Sequence, residues 1–261
     1  MTSTRIFFVG GLISFRALFG WMSPWIYIPS LIVTPIFQIL LFTFIGRSAG
    51  LESDRFYVLG NALQYASVPC IFAMSQTIAG ERFQQTLGYI LVSPAGRVPL
   101  FLGRSVPVIV NGFFVAAFSL AVSSAILGVH LPIGAIAPLV LVIAVSTFSC
   151  TGLGLVAAGI GLVARETAVL SNILFGLLLV FTGANVPLHE MPAWMGTIAQ
   201  GLPFTHGIAA ARSLADGSSL ADVSGLLGAE LLVGAIYAAV GYTFLRTFER
   251  RSRSHGTLER A

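Results

Sequence analysis

The chain has 261 residues, 56% of them hydrophobic and only 9% charged, with a mean hydropathy of +0.90. A soluble domain carries about 25% charged residues, so there is too little charge here to clothe a water-soluble globule, and the chain reads as an integral membrane protein. Its net charge of +4 rests on 14 arginines and no lysine, which excludes a Walker A lysine, a Schiff-base lysine and a lysine general base.

Charges are sparse enough to delimit the elements in chain order, given that a helix needs about 20 apolar residues to cross the roughly 30 Å hydrocarbon core. Residues 5–20 (RIFFVGGLISFRALFG) are apolar but hold Arg16 and lack a small-residue cleavage site. They read as a helix lying at the interface rather than a cleaved leader. A first span is expected at about 21–45, entered through Trp21 and Trp25 and kinked by Pro24, Pro29 and Pro35. A second follows at 56–79. The uncharged interval from Ser105 to Ala164 is too long for one helix and breaks at Gly128–Pro132, giving spans at 105–128 and 133–163. The fifth is expected at 167–188 and the sixth at 223–245, the last interrupted only by Glu230.

Six spans place both termini on one face. If that face is cytoplasmic, it carries Arg5, Arg16, Arg82, Arg97, Arg104, Arg165, Arg246, Arg250, Arg251, Arg253 and Arg260, and only Arg47, Arg55 and Arg212 lie outside. This is a positive-inside bias. The basic tail therefore reads as an orientation signal in a multi-pass protein of the cell (inner or plasma) membrane, not as a nucleic-acid arm.

Two segments between spans carry polar information. At 81–92, Glu81 and Arg82 open a short helix, an acid at the first turn suits the helix dipole, and Leu87, Ile90 and Leu91 share one face before Ser93-Pro94 stops it. Such a helix either docks into a groove on a soluble partner or rests on lipid headgroups. On the other side, Met191, Met195, Ile198 and Leu202 recur at helical spacing beside Trp194 and predict a short outer helix before the last span.

Within the spans, Gln38, Asn61, Gln64, Gln76, Asn111, Asn172 and Asn185 are uncharged but polar. Asn61, Gln64, Asn111, Asn172 and Asn185 are the candidates for a translocation path; the alternative is hydrogen bonding between helices. Gly154-xxx-Ala158, Ala157-xxx-Gly161 and Gly234-xxx-Ala238 permit close helix packing. Cys70 and Cys150 lie in apolar runs and read as small buried hydrophobes.

The segment Glu81-Arg82-Phe-Gln-Gln-Thr86-Leu87-Gly-Tyr-Ile90-Leu91-Val-Ser93-Pro94-Ala-Gly-Arg97 resembles the loop after the second span in membrane subunits of type-2 ABC exporters, the family of the daunorubicin-resistance permeases. Gln85 stands where that family often has Gly, and Gly88 where it often has an acid. The stretch Pro187…Met191-Pro-Ala-Trp194…Leu202-Pro203-Phe-Thr205…Arg212 resembles the family's second signature, before the last span.

The resemblance implies an all-α polytopic permease: six transmembrane helices, the interfacial and outer helices, and 81–92 as a coupling helix. It implies that Glu81, Arg82, Thr86, Leu87, Ile90 and Leu91 meet a separate ABC ATPase, two copies per complex. It further implies a homodimer or a heterodimer with a similar chain. No cofactor, metal or catalytic group is expected on this chain; ATP and Mg belong to the ATPase. The expected function is export of a hydrophobic or amphipathic, drug- or antibiotic-like substrate by alternating access, the multidrug efflux that underlies antibiotic resistance. A lipid or lipid-linked glycan is the alternative.

An ion-coupled transporter needs ionisable groups within its spans, and Glu230 is the one acid inside a predicted span; it reads as a snorkelling or bundle-facing carboxylate. An enzyme is disfavoured because His189-Glu190 lacks the second histidine of H-E-x-x-H and no G-x-S-x-G occurs.

Overall fold

The computed structural model describes residues 9–11, 25, 29, 33–77, 97–161 and 167–255, and no strand occurs among them. The expected coupling helix at 81–92 lies outside the described residues, as does the expected interfacial helix at 5–20 apart from a helical fragment at 9–11. The description therefore starts with α1 (Thr34–Ala49).

Gly50, in the left-handed region, closes α1 by donating its N–H back to the carbonyls of Arg47 and Gly46. Ser53 then caps α2, its hydroxyl accepting from Phe56 N, and Asp54 in the first turn pairs with Arg47. α2 runs Asp54–Thr77. Pro69, lacking an N–H, interrupts its ladder, and Pro69–Ala73 widens into a π-turn.

α3 (Arg97–Leu127) and α4 (Ile133–Gly161) are joined by a short loop. Gly128 adopts φ +66°, a conformation that an L side chain resists, and Pro132 forbids simple continuation of the helix. α5 (Thr167–Phe181) is followed by a bent segment, a 3₁₀ turn at Leu188–Glu190, then α6 (Ala193–Gln200) and α7 (Thr205–Ala215). The last helix, α8, runs Ser224–His255.

Among the described residues, four segments are long and apolar enough to cross a membrane: Asp54–Thr77, Gly103–Leu127, Ile133–Gly161 and Ser224–Thr247. This is a multi-pass, all-helical membrane protein over its described residues. Helix in the expected fifth span ends at Phe181 instead of reaching 188. Thr182 Oγ1 bonds back to the Leu178 carbonyl, Gly183 turns to φ +77°, and Asn185 Nδ2 donates to the Leu179 carbonyl, so the last turn is consumed by local polar partners.

α4 is the central helix, packed by α2, α3, α5, α7 and α8, with residues 149–155 buried in succession. α4 and α8 run parallel: Ser149 meets Gly234, Gly152 meets Gly234 and Ala238, Leu155 meets Gly241, and Gly159 meets Phe244. A Cβ at Gly152 would stand 2.7 Å from the Gly234 carbonyl oxygen, so the small residues are what let these backbones approach. Gly234-xxx-Ala238 thus serves the packing that its spacing suggests. Gly154 instead admits the backbone of Cys70 on α2.

Candidate functional site

Connectivity puts the start of α2, the end of α3, the end of α5, all of α6 and α7 and the start of α8 at one end of the bundle. Two polar assemblies lie at or just below that end.

The first is a chain of amides. Gln38 Nε2, on α1, donates to Asn61 Oδ1 (3.2 Å) and to Gln64 Oε1 (3.0 Å) on α2. Asn61 Nδ2 donates to the Tyr57 carbonyl (3.1 Å) and to Asn185 Oδ1 (2.9 Å), beyond the end of α5. Gln64 Nε2 donates to Ser67 Oγ at 3.5 Å. Asn61 and Gln64 are fully buried. Asn61 lies seven residues into α2, about 10 Å from its start at 1.5 Å per residue.

Three of the five expected path residues, Asn61, Gln64 and Asn185, are therefore brought together, and Gln38 joins them. Asn111 is buried on α3. Asn172 stands on the exposed face of α5 with Val169 and Ile173, its Nδ2 turned back to the Ala168 carbonyl. Gln76 is exposed near the far end of α2. Each interhelical amide bond in an apolar medium is worth about 0.6–2 kcal/mol, enough to hold α1, α2 and the α5 terminus in register.

The second assembly centres on two charges that oppose helix ends. The Glu230 carboxylate of α8 is fully buried and accepts from Phe204 N at Oε1 (2.7 Å) and from Gly207 N at Oε2 (3.1 Å). Those N–H groups are orphan donors at the start of α7, so a carboxylate from a neighbouring span supplies the cap that the local sequence lacks. Phe204 is held at φ +70°, a costly conformation for a bulky residue, with its side chain buried. Ser146 and Thr205 place buried, unpartnered hydroxyls in the same region, and the Ser149 side chain lies beside the carboxylate. His206 lies beside them and its Nε2 is 3.0 Å from the Gln200 carbonyl. His130 and His189 are exposed on loops.

Arg212, near the other end of α7, donates through Nη1 to the Gly183 carbonyl (2.8 Å) and through Nη2 to those of Ala184 (3.1 Å) and Phe56 (3.2 Å). Its guanidinium carbon lies 3.4 Å over the Phe56 ring. Burial pulls its pKa down to about 10, and the group stays cationic at neutral pH. Gly60 is required beneath it: a Cβ there would sit 2.5 Å from the Ala184 oxygen and 2.7 Å from Arg212 Nη2. Arg55 Nη1 caps the α7 carboxyl end at the Ala215 carbonyl (2.9 Å), and the same side chain pairs with Asp216.

α7 is thus tied to α8 through Glu230, to α2 through Arg55 and Arg212, and to the α5 terminus through Arg212. From the sequence Arg212 counts as an outer-side charge and as the last residue of the second family signature, and α7 itself has no strong signal there: it is short and alanine-rich, and its capping acid lies 26 residues away. The arrangement binds helix ends to one another at this end of the bundle. α6 leaves Trp194 and Ile198 exposed above it.

Residues 11–215 match the model of the ABC-2 type transporter family. Over 157 residues the chain is 24% identical to the "Probable multidrug ABC transporter permease YbhR" of Escherichia coli strain K12, and equally to that of strain O157:H7. The alignment covers 60% of this chain and 42% of each relative, so the chain matches about two fifths of the length of those curated proteins.

Proposed function

We propose, from the premise that the chain belongs to the ABC-2 type transporter family, that it is the membrane-spanning permease subunit of an ATP-driven exporter. The observation that carries this reading is the family match over residues 11–215, on a chain with four membrane-length helices among its described residues and no lysine for a Walker A loop. ATP and Mg would be held by a separate ABC ATPase, two copies to a dimer of permeases, each permease contributing six spans with both termini in the cytoplasm. The segment 81–92 would be the point of entry for mechanical work, with Leu87 and Leu91 as the apolar residues seated in the ATPase.

A hydrophobic or amphipathic substrate is favoured over an ion. The polar side chains of Gln38, Asn61, Gln64 and Asn185 are mutually hydrogen-bonded, and Glu230 is committed to two backbone N–H groups. A carboxylate engaged in this way is a poor carrier of coupling ions, whereas an apolar or amphipathic compound needs few polar partners along its path. In alternating access, closure of the ATPases would push on 81–92, the lower ends of the spans would shift, and the α6–α7 assembly would part from its counterpart to release substrate outward.

The test is co-purification. Leu87→Asp with Leu91→Asp, in one chain, is expected to abolish recovery of the ATPase while leaving membrane insertion unchanged, and to abolish ATP-dependent uptake of amphipathic dyes by inverted vesicles. Normal ATPase recovery from that variant would refute the coupling assignment. Dye uptake that persists without ATP but collapses with a protonophore would refute the exporter reading itself.

A further inference from the structure

We propose that the carboxyl-terminal extension of α8 is a binding surface for anionic phospholipid headgroups in the leaflet from which the helix emerges. α8 runs as one helix over 32 residues, Ser224–His255, or about 48 Å at 1.5 Å per residue. The hydrocarbon core is about 30 Å thick. The membrane-length part ends at Thr247. The helix therefore continues for about 12 Å into and beyond the headgroup layer.

Helical register places its charged residues on the helix surface. Arg246, Arg250 and Arg253 are spaced i, i+4, i+7 and fall within about a 60° arc of the helix. Followed back into the membrane, that arc carries Leu232, Ala235 and Ala239, with Thr243 and Ile236 beside it, all exposed. The opposite arc carries Leu227, Glu230, Gly234, Gly241 and Leu245, all buried where α8 packs on α4 and α7. The arginine row is thus the continuation of the outward stripe of α8, not of its packed face, and it begins where the apolar stripe stops. Arg246 is itself exposed, its Nη1 donating to the Tyr242 hydroxyl at 2.9 Å, which lays the side chain back along the helix at the interface.

The charge balance fits an anionic surface. Arg251 adds a fourth cation off the row, and Glu249, flanking the row, offsets one. Among the described residues at this end of the bundle, Glu249 is the only acid; Arg97 and Arg104 lie at the same end on α3. A row of arginines directly beyond an apolar stripe is the arrangement that anionic lipid phosphates complement, because a bound lipid can rest its chains on Ile236 and Ala239 while its phosphate meets the guanidinium groups. A soluble partner would have to reach the outward side of the helix to use the same residues. Each arginine near an anionic surface is worth about fivefold in partition, so the three together are worth roughly a hundredfold.

The experiment uses the full-length chain, purified in a neutral detergent and titrated with phosphatidylglycerol or phosphatidylcholine. Retained lipid is counted by native mass spectrometry, and thermal unfolding is followed in parallel. We expect phosphatidylglycerol to be retained at least tenfold more strongly than phosphatidylcholine, to raise the unfolding temperature, and to lose this preference in high salt. Inorganic phosphate at the same concentration should give no such stabilisation. Combined Arg246→Gln, Arg250→Gln and Arg253→Gln should remove the preference, the corresponding lysine variants should keep most of it, and Arg251→Gln should leave it largely intact. Should the triple variant insert poorly, Arg250→Gln and Arg253→Gln singly, both beyond the span, should each weaken retention about fivefold. Equal retention of both lipids by the unaltered chain would overturn the proposal. So would undiminished phosphatidylglycerol binding by the glutamine variants, with or without loss of a co-purifying soluble subunit.

Discussion

Glu230→Gln tests what the buried carboxylate does. In the unaltered chain both of its oxygens accept backbone N–H groups, from Phe204 at 2.7 Å and Gly207 at 3.1 Å. Glutamine keeps the shape but has a single acceptor, so its amide N–H₂ must face one of two backbone donors. One charge-assisted bond, worth about 1.5–3 kcal/mol, is lost, and a buried N–H is left unsatisfied at a cost of about 1–3 kcal/mol. The favourable interaction of an anion with the α7 amino terminus, up to about 2 kcal/mol in partly buried settings, goes with it. Against this, the neutral side chain no longer carries the desolvation cost of a buried ion, which is several kcal/mol. The net expectation is a destabilisation of about 2 kcal/mol, concentrated where Phe204 is free to relax from φ +70°. Glu230→Leu, which orphans both donors, should cost more. The assay is reversible unfolding in mixed micelles, with a thiol at position 205 reporting whether the start of α7 has opened. If transport is ATP-driven, the glutamine variant should transport in proportion to the folded protein that remains. A glutamine variant as stable as the unaltered chain, with position 205 still protected, would refute the capping role.

Three further outcomes are expected. Asn61→Leu should remove the acceptor of Gln38 and the donor to Asn185, lowering stability in mixed micelles by about 1–3 kcal/mol; no loss would mean that the amide chain does not join α1, α2 and the α5 terminus. Gly152→Val should force α4 and α8 apart at Gly234, at a cost of about 1–3 kcal/mol and with reduced yield of folded protein, whereas Gly134→Ala, which has open space around it, should be neutral within about 0.5 kcal/mol. Because Cys70 and Cys150 are both buried, single thiols report topology on a low background: Ser218→Cys should react with an impermeant reagent from outside intact cells and Ser252→Cys only after permeabilisation, and the reverse pattern would invert the proposed orientation.

What could be read in the sequence follows the range of the forces involved. Hydropathy acts over windows of about 20 residues, so the membrane-length helices from Asp54, Gly103, Ile133 and Ser224 stand out between charges, and the break at Gly128–Pro132 is visible because a glycine and a proline are local signals. The end of α5 at Phe181 is less visible. It depends on Asn185 bonding back to the Leu179 carbonyl, a choice between lining a path and capping a helix that residue type alone leaves open. α7 is hardest to see. Its sequence, THGIAAARSLA, has neither the apolar length of a span nor an N-cap residue, since Phe204 occupies that position. The group that replaces the cap is Glu230, 26 residues on, and the carbonyls that satisfy Arg212 come from Gly183, Ala184 and Phe56. Such pairings belong to the tertiary fold. Read singly, Glu230 is an in-span acid that reads as a snorkelling or bundle-facing carboxylate, with ion coupling as the rival, and Arg212 is an outer-side charge that helps set orientation. Placed in the fold, Glu230 faces the amino end of α7, while Arg212 meets the carbonyls just past α5 and one in the first turn of α2, so each buried charge has polar partners of the opposite sign. A transporter that moved ions through Glu230 would have to break that cap in every cycle, so the geometry that hides α7 from a sequence reading is also what argues against coupling through this buried acid.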